Sequence, residues 1–178
     1  GYISVANSNR YTYANTLTWT TANTDMLNFW TTSYNVILRA NNIINSSLSG
    51  GNIDQYKGEA YAIRALNYFT LVRYWARPYT DNPKGPGVPI VTDYNPFYYP
   101  PRGTVEDVYK LIIDDLNKAY TMMTKFTNSS QFSKYAAKAL LAKVYLTMGD
   151  KANAKTAALD VINNSGFTLV SAAGYKAY

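Results

Sequence analysis

The chain has 178 residues and a formal charge of +6, with no cysteine and no histidine. That excludes disulfides, Cys/His zinc or copper centres, thiol nucleophiles and any triad or general base built on imidazole. At this length one domain buries roughly 70% of its unfolded surface and needs no staple, and 17 cations scattered without a stripe or run argue against nucleic acid as the partner.

Charged residues make up only 16% of the chain, tyrosine supplies 18 residues, and the only glutamates are Glu59 and Glu106. No apolar run approaches the ~20 residues of a membrane span, and no signal peptide stands at the front.

Residues 1–24 are rich in Asn, Thr, Ser and Tyr without sustained periodicity, and read as loop or extended structure. A first helix starts at Thr24 or Asp25, either of which can cap it. Leu27, Trp30, Tyr34, Ile37, Leu38, Asn41 and Ile44 then recur at helical spacing, and Gly50-Gly51 ends it. A second helix runs from about Asp54 to Ala76. It is apolar nearly all round, with a stripe of Tyr61, Ala65, Tyr68, Val72 and Trp75 flanked by Leu66, Phe69 and Leu71, so it reads as the central buried helix.

All seven prolines lie between Pro78 and Pro101. Proline fixes φ and removes a donor, so Arg77 to Gly103 reads as a long ordered or semi-ordered loop, and loops of that length are usually functional or linkers. The third helix starts at Thr104, whose Thr-Val-Glu-Asp sequence resembles a capping box. Its inward face is Val108, Leu111, Ile112, Leu116, Ala119 and Met123. The fourth follows Ser133 and runs to about Thr147, with Ala137, Leu140, Leu141, Val144 and Met148 inward. The fifth runs from about Lys151 to Asn164, with Ala154, Ala158, Val161 and Ile162 inward and Gly166 as its stop. Phe167 to Val170 is expected to start an extended segment.

The last two helices carry tetratricopeptide spacing. Leu141-Ala142-x-x-Tyr145 precedes a turn at Gly149, Ala154, Ala158 and Val161 fall at repeat offsets, and Gly166 closes the unit. Small residues at 142 and 154 let paired helices approach while Tyr145 fills the gap. Ala65-x-x-Tyr68 echoes this in the second helix. The alternative is a generic helical hairpin. The expected fold is all-α: about five main helices in tetratricopeptide-like hairpins, with a long proline-rich loop projecting on one face.

An ordered series of segments spans most of the chain. It runs Trp30-x-x-x-Tyr34-x-x-Ile37-x-x-Ala40-Asn41, Glu59-Ala60-x-x-x-Arg64-Ala65-x-x-Tyr68-Phe69-x-Leu71 and Gly87-Val88-Pro89-Ile90. It continues with Arg102-x-Thr104-Val105-Glu106-Asp107-Val108-Tyr109, Ile113-Asp114-Asp115-Leu116-x-x-Ala119 and Lys138-Ala139-Leu140-Leu141-Ala142-x-Val144-Tyr145-Leu146. In that order they resemble the SusD/RagB family of Bacteroidetes outer-membrane glycan-binding lipoproteins. The resemblance implies a helical-repeat scaffold that captures oligosaccharides without cleaving them, at the cell surface, and hands them to a SusC-like TonB-dependent transporter. It also implies a lipid anchor absent from these residues. Residues 1–178 are then expected to be the N-terminal, repeat-bearing part of a longer protein. If the missing part holds the glycan, this part is instead a protein–protein scaffold that docks the transporter.

Carbohydrate recognition needs flat aromatic faces for pyranose C–H bonds and amide, hydroxyl or guanidinium groups for hydroxyls. Two segments offer both. The first holds Arg10, Tyr11, Tyr13, Asn15, Trp19 and Asn23, with Trp19 the best single platform; core packing and partner contact are the other readings. The second, in the proline loop, holds Tyr79, Asp81, Asn82, Tyr94, Asn95, Phe97, Tyr98 and Tyr99, read as a partner surface, intramolecular packing or a secondary glycan surface. Trp30, Trp75, Tyr34, Tyr68 and Tyr145 lie on helical stripes and read as core. Arg64, mid-helix in apolar surroundings, needs a buried carboxylate, from Asp114 or Asp115.

No catalytic pair is expected. Asp114-Asp115 and Glu106-Asp107 are adjacent on helices and point apart, unlike the opposed carboxylates of a glycosidase. No phosphate loop or calcium loop is present, so no cofactor and no metal are expected; a calcium site from carbonyls with Asp81 or Asp93 is the alternative, with no motif to support it.

Overall fold

The computed structural model describes residues 24–124 and 131–171, together with positions 18, 20 and 175. Among them five α-helices and two short strands follow in order: α1 Thr24–Ile44, α2 Ile53–Trp75, β1 Pro86–Pro89, β2 Arg102–Thr104, α3 Val105–Met122, α4 Lys134–Met148 and α5 Lys151–Asn164. The chain divides into two compact units, residues 1–32 and 33–178. Of the first, the described part is chiefly the opening turns of α1, where Asp25 suits the positive end of the helix dipole.

In the second unit helix boundaries follow local chemistry. The Thr104 hydroxyl accepts from the Asp107 amide at 3.1 Å, and the Asp107 carboxylate accepts from the Thr104 amide, a reciprocal capping box for α3. The Ser133 hydroxyl accepts from the Ala136 amide to start α4, and the Asp150 carboxylate from the Asn153 amide to start α5. Gly149, at φ 83°, takes the left-handed conformation that closes α4 one residue before the next cap.

The mostly helical stack is as expected, with α2 packed on α3, α3 on α4 and α4 on α5. Ala60, Ala62, Ala65, Tyr68, Phe69, Leu71 and Val72 of α2 are buried, against Val105, Val108, Tyr109, Ile112, Leu116 and Ala119 of α3. Lys138 reaches Asp160 across the α4–α5 pair at 3.6 Å.

Several expectations change. The proline segment is not wholly loop: β1 and β2 pair antiparallel, with Pro86 opposite Thr104 and Pro89 opposite Arg102, an irregular register that accommodates a bulge. Proline is tolerated because a two-stranded ribbon has only edge strands. Ile162 is 69% exposed, not inward; Ala154 and Ala157 face α4 instead, because the buried stripe at that spacing leaves 162 on the far side of α5. Leu66 is also exposed. Residues 167–170 form no strand and are exposed. Trp30, Trp75, Tyr34 and Tyr145, expected as core, are half-buried; Tyr68 is fully buried.

Candidate functional site

The segment after β1 is held by polar side chains of α1, α2 and α3 and of Asn45 just past α1, with Asn41, Arg64, Tyr68 and Asp115 buried. Arg64 donates through Nε and NH2 to the two carboxylate oxygens of Asp115, at 2.8 and 2.7 Å. Its third nitrogen donates to Asn41 Oδ1 at 2.7 Å. Asp115, not Asp114, is the partner, since Asp114 sits one residue earlier and faces solvent. Burial pushes the Asp115 carboxyl up against the opposing pull of the guanidinium. Burial works against the Arg64 charge, and the hydrogen bonds and charge of Asp115 offset it, leaving Arg64 above the ordinary arginine range.

Asn41, oriented by Arg64, turns its amide group to the loop. Nδ2 donates to the carbonyls of Val91 at 3.0 Å and Asp93 at 3.2 Å. The Tyr68 hydroxyl, wholly buried, lies 2.9 Å from the Val91 carbonyl and accepts from the Val91 amide at 2.7 Å. The Tyr34 hydroxyl donates to the Pro89 carbonyl at 2.7 Å, and Asn45 Nδ2 donates to the Thr92 carbonyl at 3.0 Å. Burial pushes Tyr68 up to about 12 and Tyr34 higher still, so both remain neutral donors. An extended segment without sheet partners has its main-chain groups satisfied by side chains from helices, which fixes its path.

Arg102 ties the other limb. Its Nε donates to the Gly87 carbonyl at 2.6 Å, and its NH2 donates to the Trp75 carbonyl, a cation placed at the negative end of α2. The loop also covers the start of α3: the Val105 amide donates to Gly85 and the Glu106 amide to Pro83.

Beyond Val91 the chain turns outward. The Asn95 side chain accepts from the Phe97 amide at 3.0 Å and the Asn95 carbonyl from the Tyr98 amide, an Asx-type turn. The turn carries Tyr94, Phe97, Tyr98 and Tyr99, which are 56, 86, 55 and 87% exposed. Intramolecular packing among the described residues therefore does not account for these four rings. Tyr79 is separate from them: half-buried, it stacks edge-on against Tyr109 at 5.1 Å between ring centres. Asp81 pairs with Arg77 at the exposed surface. Arg10, Tyr11, Tyr13, Asn15, Trp19 and Asn23 lie outside the described residues.

Three of the four acids in the two adjacent pairs are held in structural contacts. Glu106 pairs with Lys84, Asp107 caps α3, and Asp115 holds Arg64. No group of three or more acids among the described residues could hold a metal ion. The residue pattern pointed to Arg64; it gave no sign of Asn41, Asn45 and Tyr34 as loop anchors, because each bonds to main chain about fifty residues away.

Residues 2–146 match the SusD-like family model described as starch-binding associating with outer membrane. The chain belongs to the SusD-like family. SusD-like protein P38 of Formosa agariphila is 30% identical over 147 residues, covering 80% of this chain and 27% of the relative. A SusD-like protein of Bacteroides ovatus is 31% identical over 162 residues, 80% of this chain and 28% of the relative. The chain thus spans under a third of the length of these curated relatives. A SusD superfamily crystal structure from Bacteroides thetaiotaomicron superposes with a TM-score of 0.75 at 35% identity, over 82% of this chain and 34% of that one. A laminarin-binding SusD-like protein superposes with a TM-score of 0.64 at 28% identity, over 80% and 32%. The family is one of carbohydrate-binding proteins associated with the outer membrane, not of enzymes.

Proposed function

We propose that the chain is part of a cell-surface protein that captures polysaccharide-derived oligosaccharides intact and delivers them to a SusC-like TonB-dependent outer-membrane transporter. The observation that carries this reading is the turn at 94–98, joined to a stretch that Asn41 and Asn45 hold at residues 91–93, which carries aromatic rings out to solvent beside neutral amides. Aromatic faces suit the C–H surfaces of a pyranose, and neutral hydrogen bonds suit its hydroxyls. Anchoring lowers the ordering cost of binding. Laminarin binding by a structural relative and the starch-binding description of the family agree with this class of ligand.

Calorimetric titration of the chain with maltohexaose and laminarihexaose tests the proposal. Binding that changes little between low and moderate salt, and that is lost with Trp19→Ala or weakened by Tyr99→Ala, supports capture. No binding to either glycan, with retained affinity for the transporter barrel, supports the scaffold reading instead. That second reading draws on Phe97 and Tyr99, whose near-complete exposure suits a protein partner.

A further inference from the structure

Where α1 ends, its last turn, the following loop, the start of α2 and the outward turn of the proline segment enclose a cleft of about 520 Å³. That volume lies within the range of small-molecule sites. Asn42, Asn45, Ser46, Ser47, Tyr56 and Tyr94 line it, with aliphatic side chains between them and no charged one. The cation beside it, Lys57, directs its ammonium to the Ser46 carbonyl at 2.7 Å. Tyr56 is 50% exposed and comes from the second turn of α2, so rings from two separate elements border the same cleft.

Both walls are ordered. The carbonyl of Asp93, next to Tyr94, accepts from Asn41 and from the Asn95 amide. Asn45 bridges cleft and loop through the Thr92 carbonyl, and the Ser46 hydroxyl accepts from the Leu48 amide. No hydrogen bond among the described residues engages the side chains of Asn42 or Ser47, which leaves an amide and a hydroxyl for a ligand.

We infer that this cleft is a binding subsite for a neutral oligosaccharide, with pyranose rings against Tyr94 and Tyr56 and hydroxyls bonded to Asn42 and Ser47. The inference rests on the carbohydrate-capture reading and narrows it. A uronate or sulfated sugar would bring a charge into a cleft whose lining holds no cation to meet it, whereas an uncharged sugar finds amides, hydroxyls and aromatic faces. The cleft is built entirely within residues 42–94, so it does not depend on the Trp19 segment.

The test uses the whole chain with laminarihexaose, maltohexaose and hexagalacturonate as probes. Calorimetry is run on the wild type, Tyr94→Ala and Tyr56→Ala, with thermal melts to show that each surface variant stays folded. Amide NMR reads the Asn42 and Asn45 side-chain signals. Expected are binding of a neutral hexasaccharide, about ten-fold weakening in each tyrosine variant, and shifts of both side-chain amides on titration. Neutral-glycan binding that both variants retain in full, with unshifted Asn42 and Asn45 amides, overturns the subsite and leaves the capture reading standing. Salt-sensitive preference for hexagalacturonate overturns the neutral class. Binding of none of the three overturns subsite and capture reading together.

Discussion

Removing either half of the Arg64–Asp115 pair should destabilise the fold, and only one of the two losses should depend on pH. The two side chains are 5 and 0% exposed and joined by two charge-assisted hydrogen bonds. Asp115→Ala leaves a guanidinium that cannot lose its proton, so a buried charge stays unpaired and the loss is about 3–5 kcal/mol. That is a large part of the 5–15 kcal/mol that typical domains possess. Arg64→Met leaves a carboxyl instead, and burial already raises its pKa. A folded-state pKa above the unfolded ~3.9 means that protonation favours the folded state. The Arg64→Met penalty is therefore full at pH 8 and shrinks as pH falls through that raised pKa, while the Asp115→Ala penalty shows no such recovery. The double variant Arg64→Met, Asp115→Leu, with no buried charge, should lie within about 1 kcal/mol of wild type or above it. Urea titrations at pH 8 and pH 5, followed by far-ultraviolet circular dichroism, measure all three. If Asp115→Ala leaves too little folded protein, Asp115→Asn gives the same comparison with a smaller loss. A single-variant loss below about 1 kcal/mol at pH 8, or equal pH responses in the two single variants, would refute the reasoning.

Tyr68→Phe removes the hydroxyl that accepts from the buried Val91 amide; a loss of about 1–3 kcal/mol is expected, with faster hydrogen exchange at Val91 as the direct readout and unchanged exchange there as the contrary result. Gly87→Ala should destabilise by about 1–3 kcal/mol, since an added Cβ would lie 2.7 Å from the Thr104 carbonyl oxygen across the ribbon; a thermal melt at or above wild type would contradict this. Burial raises Tyr68 and Tyr109 to about 12 and Tyr34 further. Their contribution is complete below the unfolded tyrosine pKa of ~10 and declines as pH rises through the folded values. Absorbance at alkaline pH should therefore show a late-titrating subset of tyrosinates, which appears together with unfolding.

The outward turn at 94–98 shows how local and distant information divide. Its internal bonds come from Asn95, and Asn-Pro is a turn signal readable in the chain. Its direction comes from Asn41, Tyr68 and Asn45, and no periodicity reports those bonds. The same division separates Thr104, whose capping partner is three residues away, from Arg64, whose partner is 51 residues away. For Arg64 the residue type demanded a carboxylate, but only the docking of α2 on α3 selected Asp115 over its neighbour. Ile162 illustrates the reverse: its apolar character suggested burial, and the position of α4 left it outside.

The amino-acid order alone set where α3, α4 and α5 start and where α4 stops, because caps and breakers act over three or four residues, and it excluded imidazole and thiol chemistry through composition; α1, expected to run to Gly50-Gly51, instead ends at Ile44. Packing decided the β ribbon, the polar anchors of the proline segment, and the meeting of Tyr56 with Tyr94 around one cleft. These depend on helices bringing together residues tens of positions apart, where the cost of an unpaired buried group, rather than any local preference, chooses the partner.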